Sequence, residues 1–162
     1  MFVGLPEGFA PFMGTEAATI DDKGRLLFAK KKRDGLGVDF VVRLGGAPCL
    51  EAYPKAVFDE IMRNAFRDST SVSGRADFQR LFFANGEAGQ NFDGQGRVVL
   101  PHRLRKAAGL DKEVYIMGCG DHVEIWDQET YDKWLDDPES VEQKRTKAIE
   151  TARLKMEGKW QG

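Results

Sequence analysis

The sequence predicts a mainly β, α+β fold in which two copies of one small module pack together as a pseudo-dimer within a single chain. Three observations lead to this prediction. Two segments align with each other in order, short apolar runs alternate with glycine-containing turns in both, and helical patterns lie only between and after them. With 41% hydrophobic residues among 162, the chain can form a packed core, and its mixed charge argues against global disorder.

The duplication begins at an Asp-x-x-x-Arg motif that occurs twice. Asp21 aligns with Asp93, and Arg25 aligns with Arg97, each 72 residues later. The same offset aligns Gly24 with Gly96, Arg33 with Arg105 and Gly37 with Gly109. After one inserted residue in the second copy, Val41 aligns with Val114, Glu51 with Glu124 and Tyr53 with Trp126. One module of about 45 residues buries little apolar surface alone, so strands of one copy are expected to complete the other.

Each copy is predicted to contain two hairpins with a short helix between them. In the first hairpin, an aspartate bonds nearby backbone N–H groups and a glycine supplies positive φ, which assigns structural turn roles to Asp21, Gly24, Asp93 and Gly96. In copy two, Pro101 opens the helix and Gly109 ends it. Copy one has Ala29 instead of the proline, so its helix is expected to be weaker. The second hairpins are predicted over 40–44 with 49–53 and over 113–117 with 122–126.

The remaining segments are mostly helical in pattern. The connector holds an amphipathic stretch from Pro54 to Phe66, a serine-rich break and a second helix over 75–83. A helix is also predicted over 128–135, and the part from Pro138 is expected to fray or to become ordered only in an assembly. The predicted division is 1–11 for an N-terminal extension, 12–54 and 85–128 for the two modules, 55–84 for the connector and 129–162 for a C-terminal helix and charged tail.

Charge is distributed unevenly along the chain. The net charge of −2 argues mildly against nucleic acid, but the local charge is +4 from Asp21 to Arg33, +3 from Asp93 to Lys106 and −6 from Asp127 to Glu142. Clustered Lys and Arg beside exposed turns are typical of phosphate contact, and a solvated face is the alternative. Recurrence at equivalent places in both copies favours DNA. The acidic segment could serve self-assembly by binding a basic loop of a neighbouring subunit.

The arginine of the Asp-x-x-x-Arg motif allows two interpretations. Its guanidinium could fold back onto a carboxylate and hold the hairpin closed. Alternatively, Arg25 and Arg97 could project into a DNA groove, where arginine pairs bidentately with guanine. The chemistry of the residues does not choose between the two, and both stay open.

Nothing in the sequence predicts catalysis, a cofactor or a metal. We find no nucleophile elbow, P-loop or zinc-ligand spacing, and His102 and His122 have no paired nucleophile in a recognisable motif. Cys49 and Cys119 form no CxxC pair, and no histidine partner at ligand spacing is identified, so both are expected to be packed thiols. Residues 1–13 lack a basic n-region, and no apolar run reaches membrane-spanning length. We therefore expect a cytoplasmic, reducing location and no membrane partner or small-molecule substrate.

From about Phe12 to Trp134, the sequence resembles the MraZ family of bacterial transcriptional regulators, within the wider SpoVT/AbrB group of swapped-hairpin proteins. The motifs that carry the resemblance are Phe12-x-Gly14, Asp21-x-Lys23-Gly24-Arg25, Asp93-Gly-x-Gly-Arg97, Pro101-x-x-Leu104-Arg105 and Val123-Glu-Ile-Trp126. It implies tandem AbrB-like swapped-hairpin β-barrel repeats and ring-like homo-oligomers that bind repeated DNA boxes. It also implies action on the nucleoid, at the promoter of a division or cell-wall gene cluster that includes the protein's own gene.

Resemblance and charge together indicate double-stranded DNA as the partner. Lys23 and Arg25 are the leading predicted contacts, with Arg97 as the equivalent in copy two. The full predicted DNA-binding set is Lys23, Arg25, Lys30, Lys31, Lys32, Arg33, Arg97, Arg103 and Arg105. Copy one departs from the family at Ala29, and its run of four bases should strengthen phosphate affinity. The alternative function is a non-enzymatic oligomeric scaffold or antitoxin-like module whose basic patches bind an acidic protein.

Overall fold

A computed structural model describes residues 6–68, 76–77, 79–80, 82–136 and 138–156. The chain divides into two units, Met1–Gln128 and Glu129–Gly162. In the first unit, module one comprises β1 (Thr15–Thr19), β2 (Arg25–Leu27), α1 (Lys30–Leu36), β3 (Phe40–Leu44) and β4 (Cys49–Tyr53), and α2 (Lys55–Asp68) follows. Module two comprises β5 (Gly86–Gln90), β6 (Arg97–Val99), α3 (His102–Ala107), β7 (Glu113–Gly118) and β8 (Val123–Asp127). The last helices are α4 (Gln128–Leu135) and α5 (Pro138–Met156).

The two modules exchange strands. The larger sheet has six strands in the order β1-β7-β8-β4-β3-β5, so β1 of module one pairs with β7 of module two, and β5 of module two pairs with β3 of module one. The smaller sheet is a ribbon of β2 and β6, again one strand from each module. All of these pairs are antiparallel. The predicted α+β pseudo-dimer, with strands of one copy completing the other, is confirmed.

An approximate two-fold axis runs between equivalent strands. In the ribbon, Leu26 pairs with Val98, its equivalent 72 residues later. In the six-stranded sheet, Glu51 of β4 pairs with Glu124 of β8, its equivalent in the second module. Equivalent residues that face each other are the mark of an isologous contact, here formed within one chain.

Among the described residues, the strands form an open sheet and a separate ribbon rather than a closed barrel. The ribbon packs over one face of the sheet, and Leu26 and Val98 share a single apolar core with Leu50 and Ile125. Each ribbon strand has only three residues and is separated from the strand before it by the Asp-x-x-x-Arg turn. The hydrogen-bonded ladder therefore does not continue around the core, and the predicted first hairpin of each module is wrong because its two strands lie in different sheets.

The short helix of module one forms without the proline that opens its counterpart. Ala29, which precedes α1, has φ −61° and ψ 146°, close to the φ −57° and ψ 129° of Pro101 before α3. Alanine thus adopts the backbone geometry that proline imposes. The helix α1 has seven residues and α3 has six, so the exchange does not shorten the helix.

Burial corrects the alignment of the third strands by one residue. Phe40 and Val42 of β3 face the main core, and so do Val114 and Ile116 of β7. Val41, which the sequence alignment matched to Val114, faces the opposite side of the sheet. Because side chains alternate along a strand, a slip of one residue exchanges its two faces.

The face of the sheet opposite the ribbon carries a smaller apolar cluster, in which Val41 and Tyr53 pack against Val57 and Phe58 of α2. Residues 76–77, 79–80 and 82 are helical where the second connector helix was predicted, and Phe78 and Leu81 lie outside the described residues. In the second unit, the rings of Tyr131 and Trp134 stack at 5.6 Å. None of the described helices has the length and apolar character needed to cross a membrane.

Candidate nucleic-acid interface

The outer face of the ribbon is small, symmetric and mixed in chemistry. Leu26 and Val98 point into the core, so the alternate residues Arg25, Leu27, Arg97 and Val99 point outward. Arg25 lies opposite Val99 across the ribbon, and Leu27 lies opposite Arg97. Leu27 is 56% exposed and Val99 is 57% exposed. The sequence analysis did not select these two apolar residues, because each lies inside a continuous apolar run, Leu26 to Phe28 or Val98 to Leu100, that does not mark its middle residue as exposed.

The aspartate of each Asp-x-x-x-Arg motif holds its turn through both carboxylate oxygens. Oδ1 of Asp21 accepts hydrogen bonds from the backbone N–H groups of Lys23 and Arg25, both at 2.9 Å. Oδ2 accepts one from Nε of Arg25 at 2.6 Å. In the second copy, Oδ2 of Asp93 accepts from Nε of Arg97 at 3.0 Å, and its Oδ1 accepts backbone bonds in the same way.

These hydrogen bonds stabilise the ionised carboxylates. The backbone N–H of Arg25 is the largest factor that lowers the pKa of Asp21, burial partly offsets it, and the Arg25 side chain lowers the pKa further. The backbone N–H of Arg97 lowers the pKa of Asp93 in the same manner. Each aspartate is therefore charged at neutral pH and fixes its arginine.

The same geometry leaves part of each guanidinium available. Only Nε of Arg25 and Nε of Arg97 bond the aspartates, and the described residues supply no hydrogen-bond partner for the terminal nitrogens. Each side chain belongs to the outward face of the ribbon and is a little over a quarter exposed. The two interpretations of the arginine are thus compatible, because one edge of the group holds the turn and the other edge can bind a ligand.

Arg33 and Arg105 each pack against the turn of the other module. A Cβ at Gly24 would lie 2.9 Å from Nη2 of Arg105, and a Cβ at Gly96 would overlap the guanidinium of Arg33. Both glycines also have positive φ, +77° and +80°. The turns therefore require glycine for two reasons, its backbone conformation and the lack of room for a Cβ. Nε of both arginines is buried. These two predicted DNA contacts are mainly packing residues that join the modules, and no sequence pattern could indicate that because the strand exchange creates it.

Lys32 lies inside the protein instead of at a DNA-binding surface. Its side chain is 4% exposed, and Nζ lies 2.7 Å from Oε1 of Glu16 and 3.2 Å from the carbonyl oxygen of Met13. The residue 72 positions later is Leu104, a core residue. Lys32 therefore occupies the core-facing position of α1, and we remove it from the predicted DNA-binding set. Comparison with Leu104 could have revealed this position from the sequence.

The remaining predicted bases are displayed at the surface near the turns. Lys23 is exposed in the first turn, and Lys30 and Lys31 are exposed at the start of α1, with Lys30 paired to Asp34 at 2.7 Å. Lys30 and Lys31 belong to the same short helix as Arg33, which packs on the turn of module two at Gly96. Arg103 is exposed in α3, and its Nη2 donates to the carbonyl oxygen of Ala84 at 2.9 Å.

A second cluster, on the other face of the sheet, escaped the sequence analysis. Cys119 and His122 are three positions apart in the turn between β7 and β8, and both lie close to Glu124. The expectation that no histidine stands at ligand spacing from a cysteine was wrong. The Cys-x-x-His spacing was present in the sequence and was the signal that could have identified the cluster.

Comparison with known proteins identifies one family over most of the chain. The MraZ protein family model, described as antitoxin-like, matches twice, over residues 11–81 and 83–152. A protein of Cutibacterium acnes named "Transcriptional regulator MraZ" is 37% identical over 130 residues, which cover 80% of this chain and 91% of the relative. Relatives with the same name are 43% identical in Carboxydothermus hydrogenoformans, covering 76% and 85%, and 40% identical in a Nocardioides species, covering 72% and 80%.

Proposed function

The chain belongs to the MraZ family, and from that premise we propose that it binds specific DNA sequences through the outward face of its β2–β6 ribbon. It is a transcriptional regulator rather than an enzyme, as its relatives are named. The observation that carries the proposal is the pairing of two arginines with two exposed apolar residues on a two-stranded ribbon.

The major groove of B-form DNA admits a two-stranded β-ribbon and exposes a distinct pattern of donors, acceptors and methyl groups for each base pair. A ribbon whose strands have three residues each presents only a few side chains, so each one matters. The terminal nitrogens of Arg25 and Arg97 suit the two acceptors of guanine, and their Nε bonds to aspartate reduce the entropy lost on binding. Leu27 and Val99 suit the thymine methyl group.

The exposed lysines beside the ribbon suit the phosphate backbone. Lys23, Lys30 and Lys31 are charged and exposed, and contacts of this kind position a protein on the duplex without reading its sequence. Their contribution should depend strongly on salt, because bound phosphates release counterions. The net charge of −2 does not oppose this proposal, because the basic groups are concentrated near the turns.

The proposal also covers the DNA targets of the protein and its assembly into oligomers. We place the protein in the cytoplasm, on the nucleoid, at the promoter of a division or cell-wall gene cluster that includes its own gene, where repeated boxes would bind several subunits of a ring-like homo-oligomer. Several ribbons on one assembly would raise the affinity through effective concentration. The acidic segment from Asp127 to Glu142 supplies charge that could meet a basic loop of a neighbouring subunit.

The test is a fluorescence-anisotropy titration of a labelled duplex from the region upstream of the protein's own gene, across salt from low to physiological. Wild type should bind with an affinity that falls steeply with salt. Arg25→Ala and Arg97→Ala should each weaken binding about 10-fold or more. The matched control is Arg63→Ala, which removes an equal charge from α2, the helix that packs on the opposite face of the sheet.

Thermal melts of each variant separate folding from binding, because Arg25 also holds its turn. Arg25→Lys keeps the charge but lacks the planar fork, so it should remain folded and still bind more weakly than wild type. Equal losses for Arg63→Ala and Arg25→Ala would show general charge attraction and would overturn the proposal. Absence of binding to the upstream duplex and to all tiled neighbouring duplexes would favour the scaffold or antitoxin-like alternative.

A further inference from the structure

A thiol, an imidazole and a carboxylate converge on the face of the six-stranded sheet that lies opposite the ribbon. Cys119 and His122 belong to the turn between β7 and β8, and Glu124 follows in β8. The Sγ of Cys119, a ring nitrogen of His122 and a carboxylate oxygen of Glu124 all lie within 4.8 Å of one another. Thiolate sulfur, imidazole nitrogen and carboxylate oxygen are the ligands that zinc takes in proteins.

The ring of His122 is held from two sides. Its Nδ1 lies 2.6 Å from Oδ1 of Asp121, and its Nε2 lies 3.3 Å from Oε1 of Glu124. The ring of Tyr53 stacks on it with centroids 4.9 Å apart. Histidines that bind metals nearly always donate the other ring N–H to a carboxylate or carbonyl group, which fixes the tautomer and the ring orientation. Asp121 is placed to accept that hydrogen bond and to direct Nε2 toward the cluster.

Glu124 is oriented in a similar way. Nε1 of Trp126 donates to Oε2 of Glu124 at 2.7 Å, so the other oxygen, Oε1, is the one that faces His122. The separation of 3.3 Å between Oε1 and Nε2 is close to the edge of a tetrahedral zinc site, which is about 3.4 Å for bonds of about 2.0–2.2 Å. Two of the three donor atoms therefore already have the spacing that a shared cation needs.

The charges around the cluster favour a cation. Asp121, Glu124 and Glu51 supply three carboxylates at this place, and Arg43 forms an ion pair with Glu51 at 2.5 Å. A metal ion bound at Nε2 would replace the contact between His122 and Glu124 and would be surrounded by these carboxylates.

We propose that Cys119, His122 and Glu124 bind a divalent cation of the zinc class, with Asp121 as the positioning residue of His122. Cys49 and Glu51 also lie within 4.8 Å of each other and of Glu124. Cys49 is fully buried, and the carboxylate of Glu51 is held by Arg43 and Tyr53, so a cation reaches the partly exposed Cys119 first. The site is independent of the ribbon, and its failure would leave the DNA-binding proposal intact.

The test is a titration of the full-length, tag-free protein with Co²⁺ after removal of metals by a chelator. Binding at the site should give one equivalent of cobalt with a thiolate-to-cobalt charge-transfer band and strong visible bands of tetrahedral coordination, and Zn²⁺ should remove both. Cys119→Ser should abolish the charge-transfer band, and His122→Gln should weaken binding at least 10-fold. Asp121→Asn should keep the band but weaken binding by about 10- to 100-fold, as loss of a hydrogen bond to a ligand does.

The matched control is Cys49→Ala, which removes the neighbouring thiol and should keep the band and the affinity. Far-UV circular dichroism and melting curves show that each variant is folded before its titration is interpreted. Wild-type protein without a charge-transfer band at one equivalent would overturn the proposal and leave an imidazolium held by carboxylates. A charge-transfer band that survives Cys119→Ser and is lost in Cys49→Ala would also overturn the proposal, and would assign the cation to Cys49, Glu51 and Glu124 instead.

Discussion

Lys31 and Lys32 are neighbours in a run of four bases, yet the structure places them in opposite environments. Lys31 is exposed, and the ammonium of Lys32 is buried against Glu16. Lys31→Ala should therefore weaken DNA binding, and Lys32→Met should not. Both variants remove one positive charge, so any difference between them reports position and not net charge.

The expected size of the effect follows from counterion release. One lost phosphate contact reduces the slope of log affinity against log salt by about 0.9. When salt is raised from 50 mM to 200 mM, both proteins lose affinity for DNA. The factor by which Lys31→Ala loses affinity should be about 3.5-fold smaller than the factor for wild type. For Lys32→Met the slope should be unchanged, because its ammonium contacts no phosphate.

The stability of Lys32→Met should stay within about 1 kcal/mol of wild type. Methionine fills a similar volume, and removing one partner of an ion pair is costly mainly where the other charge stays buried. Glu16, whose side chain is 40% exposed, can be hydrated once its partner is gone. Anisotropy titrations at five salt concentrations and a urea melt provide both measurements. A slope reduced by about one in Lys32→Met, with Lys31→Ala unchanged, would refute the assignment of Lys32 to the interior.

Three other outcomes are expected. Gly96→Ala should lower the free energy of unfolding by about 1–2 kcal/mol in a urea melt, because φ is +80° and Arg33 must move. Gly94 has open space around it, so Gly94→Ala should lower it by less than about 0.5 kcal/mol. Equal losses would contradict the assigned role of Gly96 in the turn. The Asp21→Asn/Asp93→Asn double variant should melt below wild type at pH 7, and the difference should vanish on acidification. A carboxylate with a lowered pKa contributes stability above its unfolded value, near 3.8, and loses it as pH falls through the folded value, so a difference that persists at pH 2 would be contrary evidence. Replacing a contacted thymine by deoxyuridine removes one methyl group, worth about 0.8 kcal/mol, and should weaken DNA binding by wild type about four-fold. The DNA affinity of Leu27→Ser should not change with this replacement. An equal loss of affinity in both proteins would exclude a methyl contact by Leu27.

The parts of the fold that could be predicted from the sequence are those in which local chemistry and duplication agree. The Asp21 and Asp93 turns follow from residue types whose backbone preferences are strong, and the aligned copies indicated a pseudo-dimer. Lys32 was misassigned because it was interpreted as part of a charged run, although its equivalent, Leu104, marks a core position. The spacing of Cys119 and His122 was likewise visible and was overlooked.

Other features of the site could not be predicted, because they depend on strand exchange. The packing of Arg33 on Gly96 joins residues of different modules, and no local pattern encodes the distance between them. Arg25 bonds Asp21 through Nε alone, and which of its nitrogens are engaged depends on its rotamer and its burial in the folded chain. Residue types limit the possible roles, and three-dimensional placement decides which atoms remain available.

The two halves of a pseudo-dimer can differ in sequence, whereas the subunits of a true homodimer are identical. A pseudo-dimer can therefore present an asymmetric binding face. The centre of the ribbon is symmetric, with Arg25 and Arg97 in equivalent positions. Its surroundings are not, since Lys30 and Lys31 start α1, whereas His102 and Arg103 start α3, with Arg103 bonded to Ala84. A DNA duplex bound across this face would meet a different arrangement of charge on the two sides, because Lys30 is paired with Asp34 on one and Arg103 with a carbonyl oxygen on the other. Turning the duplex end for end would therefore change the binding energy, so the proposed binding should favour one orientation of the DNA.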